Sequence, residues 1–263
     1  MISLYDAPTA ALCCEAGLDL ILVGDSMGNA MLGYENTLPV TMEDMLRHTA
    51  AVVRGVRGSS RPEVPVIADL PFGSYATIER ATENGAALVR AGAQAVKLEG
   101  SDRAVLEGIR AIISMGVPVV GHLGFTPQSS LSFGSIVQGR TAEAASRMLE
   151  EAKSVEDAGC CAVVLEAVPA EVAQRITKEL SISTIGIGAG PACDVQVLVW
   201  HDLAGLSDGP SLRFVKQYAD AGALMKQAAE SFVGEVRSGE FPGPEHGWEL
   251  NEEELRRWED SQG

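Results

Sequence analysis

Five apolar runs in this 263-residue chain each stop on a polar or charged side chain: 20–25 on Asp25, 66–69 on Asp69, 95–99 on Glu99, 117–122 on His122 and 162–166 on Glu166. A run such as Leu20-Ile21-Leu22-Val23 is apolar on both faces, which suits a strand buried on both sides in a parallel sheet. Ionisable groups at the point where such a strand leaves the core do not serve stability. Parallel strands that each deliver a charge at the same end can direct those charges into one pocket, as at the C-terminal face of a βα barrel.

Eight strand candidates run through the chain, at residues 2–5, 20–24, 64–68, 95–98, 117–121, 162–165, 184–187 and 197–200. Between them, apolar residues recur at three- and four-residue intervals, as in 78–90, 104–114 and 142–158, which predicts helices. Ser101 is placed to cap a helix that runs to Gly116, and Thr141 to cap one that ends near Gly159. Strands and helices in alternation over this length predict an α/β fold, a single (βα)8 TIM-type barrel rather than an open sheet. Residues 1–240 are assigned to that barrel. Residues 241–263, with Pro242, Pro244 and the run Glu252-Glu253-Glu254, are assigned to an acidic C-terminal tail that is peripheral or partly disordered. Two connections, 26–42 and 123–140, exceed ordinary turns and are expected to form a lid or wall over the strand ends.

Thirty-six acidic against 20 basic residues leave a formal charge of −16, which argues against a nucleic-acid partner. Five cysteines, two pairs of them adjacent, have neither zinc-site spacing nor the even count of a disulfide framework, and are read as buried thiols. No apolar run is long enough to cross a bilayer, and Met1 leads directly into strand-like Ile2-Ser3-Leu4-Tyr5 rather than a signal sequence. A soluble, cytoplasmic protein without a membrane partner is expected.

In a barrel, Asp25 and Asp69 on adjacent strands would face one cavity. A lone aspartate after a strand often caps the next helix, but two neighbours with Glu99 on the following strand favour a hard cation such as Mg2+, which takes one or two carboxylates and keeps places for water and a chelating substrate. Strand parity puts Lys97 and Glu99 both inside the barrel, with Val96 and Leu98 facing the helices. They form either a structural ion pair, or a pair in which Lys97 engages a substrate oxygen while Glu99 supports the metal. Glu166, after Val163-Val164-Leu165, is the candidate general base. His122 is either a substrate or metal-ligand contact or a satisfied barrel histidine. Gly186-Ile187-Gly188-Ala189-Gly190 is weak as a phosphate loop, since its glycines equally permit close backbone approach. His201-Asp202 receives no role. Together these groups suit a 2-oxo acid that chelates the metal and loses a neighbouring proton to give an enolate. They do not identify the electrophile.

Several motifs occur in order: Val23-Gly24-Asp25-Ser26-Met27-Gly28, Thr37-Leu38-Pro39-Val40-Thr41, Asp69-Leu70-Pro71-Phe72, Val96-Lys97-Leu98-Glu99-Gly100, Gly121-His122-Leu123-Gly124, Thr126-Pro127-Gln128-Ser129 and the glycine run at 186–190. With them the chain resembles the ketopantoate hydroxymethyltransferase family nearly throughout, to Phe241-Pro242-Gly243. The resemblance implies a barrel like those of the phosphoenolpyruvate mutase/isocitrate lyase group, and transfer of a one-carbon unit from 5,10-methylenetetrahydrofolate to 3-methyl-2-oxobutanoate, giving 2-dehydropantoate on the route to pantothenate and coenzyme A. It further implies that Asp25, Asp69 and Glu99 surround Mg2+, that Asp25, Ser26, Asp69 and Lys97, with His122, contact the oxo acid, and that Glu166 accepts the proton. Homo-oligomers, often decamers, are the family's habit.

Three departures from the family pattern carry expectations of their own. The family usually has a helix before its first strand, and this chain starts on the strand, which bears on the barrel's lower cap and the oligomer contacts. Val195 stands where the family usually has glycine, and a positive φ there would strain it. The stretch 207–214 matches loosely. Alternatives to the transferase are a related metal-dependent 2-oxo acid lyase or mutase, a Schiff-base aldolase using Lys97, and a barrel that has lost catalysis and serves binding or assembly.

Overall fold

A computed structural model describes residues 1–132, 136–207 and 212–263. Its strands are β1 (Ile2–Ser3), β2 (Ile21–Val23), β3 (Val66–Asp69), β4 (Ala95–Glu99), β5 (Val119–Gly124), β6 (Ala162–Glu166), β7 (Ser183–Ile187), β8 (Val195–Gln196) and β9 (Leu198–Val199). Each pairs in parallel with its sequence neighbour from β1 to β8, and β9 returns to pair with β1. Residues 195–199 are therefore one stave that pairs with β7 through its first half and with β1 through its second. The expected (βα)8 barrel is present, with one correction: the eighth strand lies earlier than 197–200, breaks at Val197, and Trp200 already belongs to a helix. Val197 turns inward at the break, into the barrel's own core.

That inner core is Leu22, Ile67, Ala95, Val120, Ala162, Val164, Ile185 and Val197. The alternate positions, Val96 and Leu98 among them, join a separate outer core with the helices, as strand parity requires. The helices are α1 (Ala7–Glu15), α2 (Met27–Ala30), α3 (Met42–Gly58), α4 (Ile78–Arg90), α5 (Arg103–Ser114), α6 (Ala142–Asp157), α7 (Ala170–Glu179) and α8 (Trp200–Ala204). Thr41 and Asp44 form a capping box at the start of α3, and Thr141 caps α6 through the Ala144 N–H. The cap of α5 is Asp102 and not Ser101: its carboxylate accepts from the Val105 N–H at 3.0 Å. Either residue type can cap, and only the backbone's exit from β4 decides between them.

Val195 is an ordinary strand residue opposite Ile185, and Ala167 is the only non-glycine among the described residues with positive φ. The expected strain at Val195 is absent. Part of the loosely matching stretch, 208–211, and part of the second long connection, 133–135, lie outside the described residues.

The chain divides into two compact units, Met1–Tyr218 and Ala219–Gly263. The second holds α9 (Ala221–Ser238), capped by Asp220, and α10 (Glu252–Gln262), capped by Asn251. The run Glu252-Glu253-Glu254 forms the first turn of α10, where negative charge complements the helix dipole. None of this unit's residues is buried. Among the described residues no helix is long and apolar enough to cross a membrane.

Candidate active site

The register of the barrel brings the charged residues together before any side-chain contact is considered. Asp69 pairs with Lys97 between β3 and β4, and Glu99 pairs with His122 between β4 and β5. All point inward by parity, and Asp25 joins them from the turn after β2. Asp25, Asp69, Lys97, Glu99 and His122 are each 4% exposed or less, so their charges answer to one another and not to solvent. The turn is tight because Gly24 has no side chain; a Cβ there would stand 2.7 Å from the hydroxyls of both Ser3 and Ser26. The Asp25 N–H donates to Asp69 Oδ2 at 3.0 Å. Ser26 is held by the Tyr5 hydroxyl at 2.8 Å and lies 3.3 Å from Ser3 Oγ.

Lys97 Nζ stands 3.3 Å from Asp69 Oδ1 and 3.9 Å from Glu99 Oε1. His122 bridges two carboxylates: Nδ1 is 3.2 Å from Glu99 Oε1, and Nε2 is 3.3 Å from Glu166 Oε2. Burial works against the Lys97 ammonium, but Asp69, Glu99 and Asp25 outweigh it and hold its pKa above the ordinary value. This opposes the neutral amine that a Schiff-base mechanism needs. Burial and then Lys97 push His122 down, yet Glu99 and Glu166 lift it to about 9. Burial, followed by Asp69 and Glu99, drives Asp25 well above the carboxylate range. Burial raises Asp69 as well, in spite of Lys97. Glu99 is also penalised by burial, but His122 and Lys97 bring it below its ordinary value.

These residues open into a cavity of about 350 Å³ at the C-terminal end of the barrel, with Ser26 and Glu166 at its polar side and Leu22, Val164, Ile187 and Val197 as apolar wall. Residues of both long connections line it, Asn36 and Thr37 from the first and Phe125, Pro127 and Ser130 from the second. The glycine run makes a close approach within the protein itself. Gly188, at φ +64°, lies against Phe214, whose ring a Cβ would meet at 2.6 Å. Of the pair after the eighth stave, Asp202 lines the cavity and His201 packs on Tyr5 with ring centroids 5.6 Å apart.

Residues 1–244 match the family model described as ketopantoate hydroxymethyltransferase. The chain is 50% identical over 249 residues to the 3-methyl-2-oxobutanoate hydroxymethyltransferase of Geobacter metallireducens, covering 94% of this chain and 91% of the relative. The chain belongs to the ketopantoate hydroxymethyltransferase family. Enzymes of the same description from Ignicoccus hospitalis and Thermus thermophilus are 50% and 49% identical, over 94% and 93% of this chain and 92% of each relative. Among solved structures, 2,3-dimethylmalate lyase, a PEP mutase/isocitrate lyase superfamily member, aligns with a TM-score of 0.60 at 18% identity, over 99% of this chain and 90% of that one. Phosphonopyruvate hydrolase in complex with oxalate and Mg++ aligns at 0.59 and 13% identity, with the same coverage. At those identities the likeness speaks for the barrel alone, the fold that the family resemblance implied.

For a ketopantoate hydroxymethyltransferase family member, the question is whether the residues present suit a divalent cation. Among the described residues no three His, Cys, Asp or Glu side chains are grouped as a ready-made metal cage. Asp69 Oδ1 and Glu99 Oε1 are, however, buried oxygens that face Lys97 at 3.3 Å and His122 at 3.2 Å without a formed hydrogen bond, beside an Asp25 whose charge burial opposes. A hard cation that takes one or two carboxylates and fills its shell with water and substrate relieves that arrangement, so the donor set fits Mg2+. The site residues that sequence reasoning passed over are Ser3, Tyr5, Tyr75 and Gln128. Ser3 and Tyr5 share one face of the expected strand 2–5, and Gln128 lies in Thr126-Pro127-Gln128-Ser129; Tyr75 carried no signal.

Proposed function

We propose that this chain transfers a hydroxymethyl group to 3-methyl-2-oxobutanoate, with 5,10-methylenetetrahydrofolate and water as co-reactants and 2-dehydropantoate and tetrahydrofolate as products. The observation that carries the reading is a single cavity in which buried Asp25, Asp69, Glu99 and Lys97 meet Glu166 through His122, in a chain half identical to enzymes of that description over nearly its whole length.

Lys97 and Ser26 supply donors to the carboxylate and oxo group of the substrate, with His122 as a further contact, and this sets the neighbouring C–H toward Glu166. Glu166 takes the proton from that carbon, which then attacks the one-carbon unit. His122, whose pKa Glu99 and Glu166 lift to about 9, lies 3.3 Å from Glu166 Oε2 and holds that carboxylate in place as the base. Mg2+ held by Asp25 and Asp69, with Glu99 beside them, would supply Lewis acidity at the keto oxygen. The apolar wall of Leu22, Val164, Ile187 and Val197 suits the branched hydrocarbon end of the substrate. We place this activity in the cytoplasm, in a homo-oligomer.

The test is formation of 2-dehydropantoate from the two substrates with and without Mg2+, together with deuterium exchange at C3 of 3-methyl-2-oxobutanoate. No product and no exchange from the metal-loaded protein would sink the reading; exchange without transfer would leave an enolising barrel with another electrophile.

A further inference from the structure

The motif Thr126-Pro127-Gln128-Ser129 has no part in the chemistry as described, yet Gln128 is the most heavily bonded side chain at the carboxylates. It lies in a short 3-10 helix (Pro127–Ser132) after β5 and is 5% exposed. Its Nε2 donates to Asp25 Oδ2 at 2.8 Å and to the Leu70 carbonyl at 2.9 Å. Its Oε1 accepts from the Tyr75 hydroxyl at 2.6 Å, and its backbone N–H donates to Glu99 Oε2 at 3.0 Å.

The orientation of this amide is over-determined. The Leu70 carbonyl can only accept, so nitrogen must face it, and the same nitrogen then meets Asp25. On the opposite side the Tyr75 hydroxyl is the donor, at 2.6 Å from Oε1. Turning the amide over would set Oε1 against two acceptors. One residue thus ties down one oxygen of Asp25 and one of Glu99, and leaves the second oxygen of each for other partners.

We propose that Gln128 is a positioning residue for the divalent-cation site, presetting Asp25 and Glu99 in one arrangement, and that Tyr75 is the lock that keeps its amide from turning over. The inference rests on the Mg2+ site proposed above. Partners that orient metal-binding side chains typically change metal affinity ten- to hundred-fold when removed.

The probe is Mn2+ alone, with neither oxo acid nor folate present, titrated into the full chain and followed by the electron paramagnetic resonance of free Mn2+. Thermal unfolding of the metal-free proteins runs alongside. Gln128→Met keeps the side-chain length and removes the amide; it is expected to weaken Mn2+ binding about ten- to hundred-fold. Tyr75→Phe leaves both contacts of the nitrogen in place and is expected to weaken it by a smaller factor, about three-fold or more, since only the lock is lost. A structural role alone would lower the unfolding temperature of Gln128→Met and leave the Kd of the folded variant within two-fold of the original, and that result overturns the proposal. If Gln128→Met does not fold, an unchanged Kd in Tyr75→Phe overturns it equally. An original protein that binds no Mn2+ removes the metal reading together with this one, whereas tight binding unaffected by either substitution removes this one alone.

Discussion

Replacing Lys97 with methionine removes a buried cation and keeps most of its volume, leaving Asp69, Glu99 and Asp25 to face one another. At an effective dielectric constant of about 20, the 3.3 Å contact with Asp69 corresponds to about 5 kcal/mol of attraction and the 3.9 Å contact with Glu99 to about 4 kcal/mol. The loss cannot reach that sum, because a carboxylate that becomes too costly to keep charged takes up a proton instead. The cost of doing so rises by about 1.4 kcal/mol for each pH unit above its ordinary pKa near 3.9, which caps the penalty per carboxylate at about 1.5 kcal/mol at pH 5 and about 5.5 kcal/mol at pH 8. Lys97 does not titrate across this window in either state, since its folded pKa lies above an already high value. The carboxylates do: a group whose folded pKa is raised stabilises below its unfolded pKa, and that contribution is lost as pH climbs through the folded value. Lys97→Met should therefore destabilise the metal-free protein by about 1–2 kcal/mol at pH 5 and about 3–5 kcal/mol at pH 8. Urea unfolding at the two pH values reads the difference directly. An equal loss at both would show that Lys97 is not what holds these carboxylates charged, and the electrostatic account of the site would fail with it.

Glu166→Gln keeps the shape of the base and removes its charge; turnover should fall about 10²–10⁴-fold with oxo acid affinity within a few-fold, and full activity would dismiss Glu166 as the proton acceptor. His122, lifted from 6.5 to about 9, contributes stability that is complete below pH 6.5 and is lost as pH rises through 9, about 3 kcal/mol in all; urea midpoints of the metal-free protein between pH 6 and 10 should show the decline, and His122→Gln should flatten it. Gly188→Ala should lower stability by at least about 1 kcal/mol, since its φ of +64° disfavours alanine and the new methyl meets the Phe214 ring; an unchanged unfolding midpoint would mean that the loop and ring are not packed as described.

How far the sequence could be read depended on the range of the interaction. The inward placement of Lys97 and Glu99 was legible because the two-residue period of a strand needs no tertiary information, whereas the pairing of Asp69 with Lys97 depends on the register between β3 and β4, which that period does not supply. The exchange of Ser101 for Asp102 as the cap of α5 was not legible, because both residue types serve and the choice depends on where the chain leaves β4. The break at Val197 was hidden because residues 195–200 include Val195, Val197, Leu198 and Val199, a pattern that fits a continuous strand shifted either way. Gln128 sits 103 positions from Asp25 and 53 from Tyr75, so its amide acquires a purpose only when the barrel has closed.

The divided eighth stave gives the barrel two kinds of wall. β4, β5 and β6, which carry Lys97, Glu99, His122 and Glu166, are joined by four or five registered residue pairs at each boundary. The divided stave holds β7 by two pairs and β1 by two more, and β1 in turn holds β2 by two. Local opening is least costly where the fewest backbone bonds must break, so the barrel should breathe along the divided stave and β1 while β4 to β6 stay rigid. The divided stave is also where Val197, Leu198 and Val199 face the cavity. Slow amide exchange on β4 to β6 and fast exchange at 195–199 would mark a container whose chemistry is bolted to one side and whose door is hung on the other.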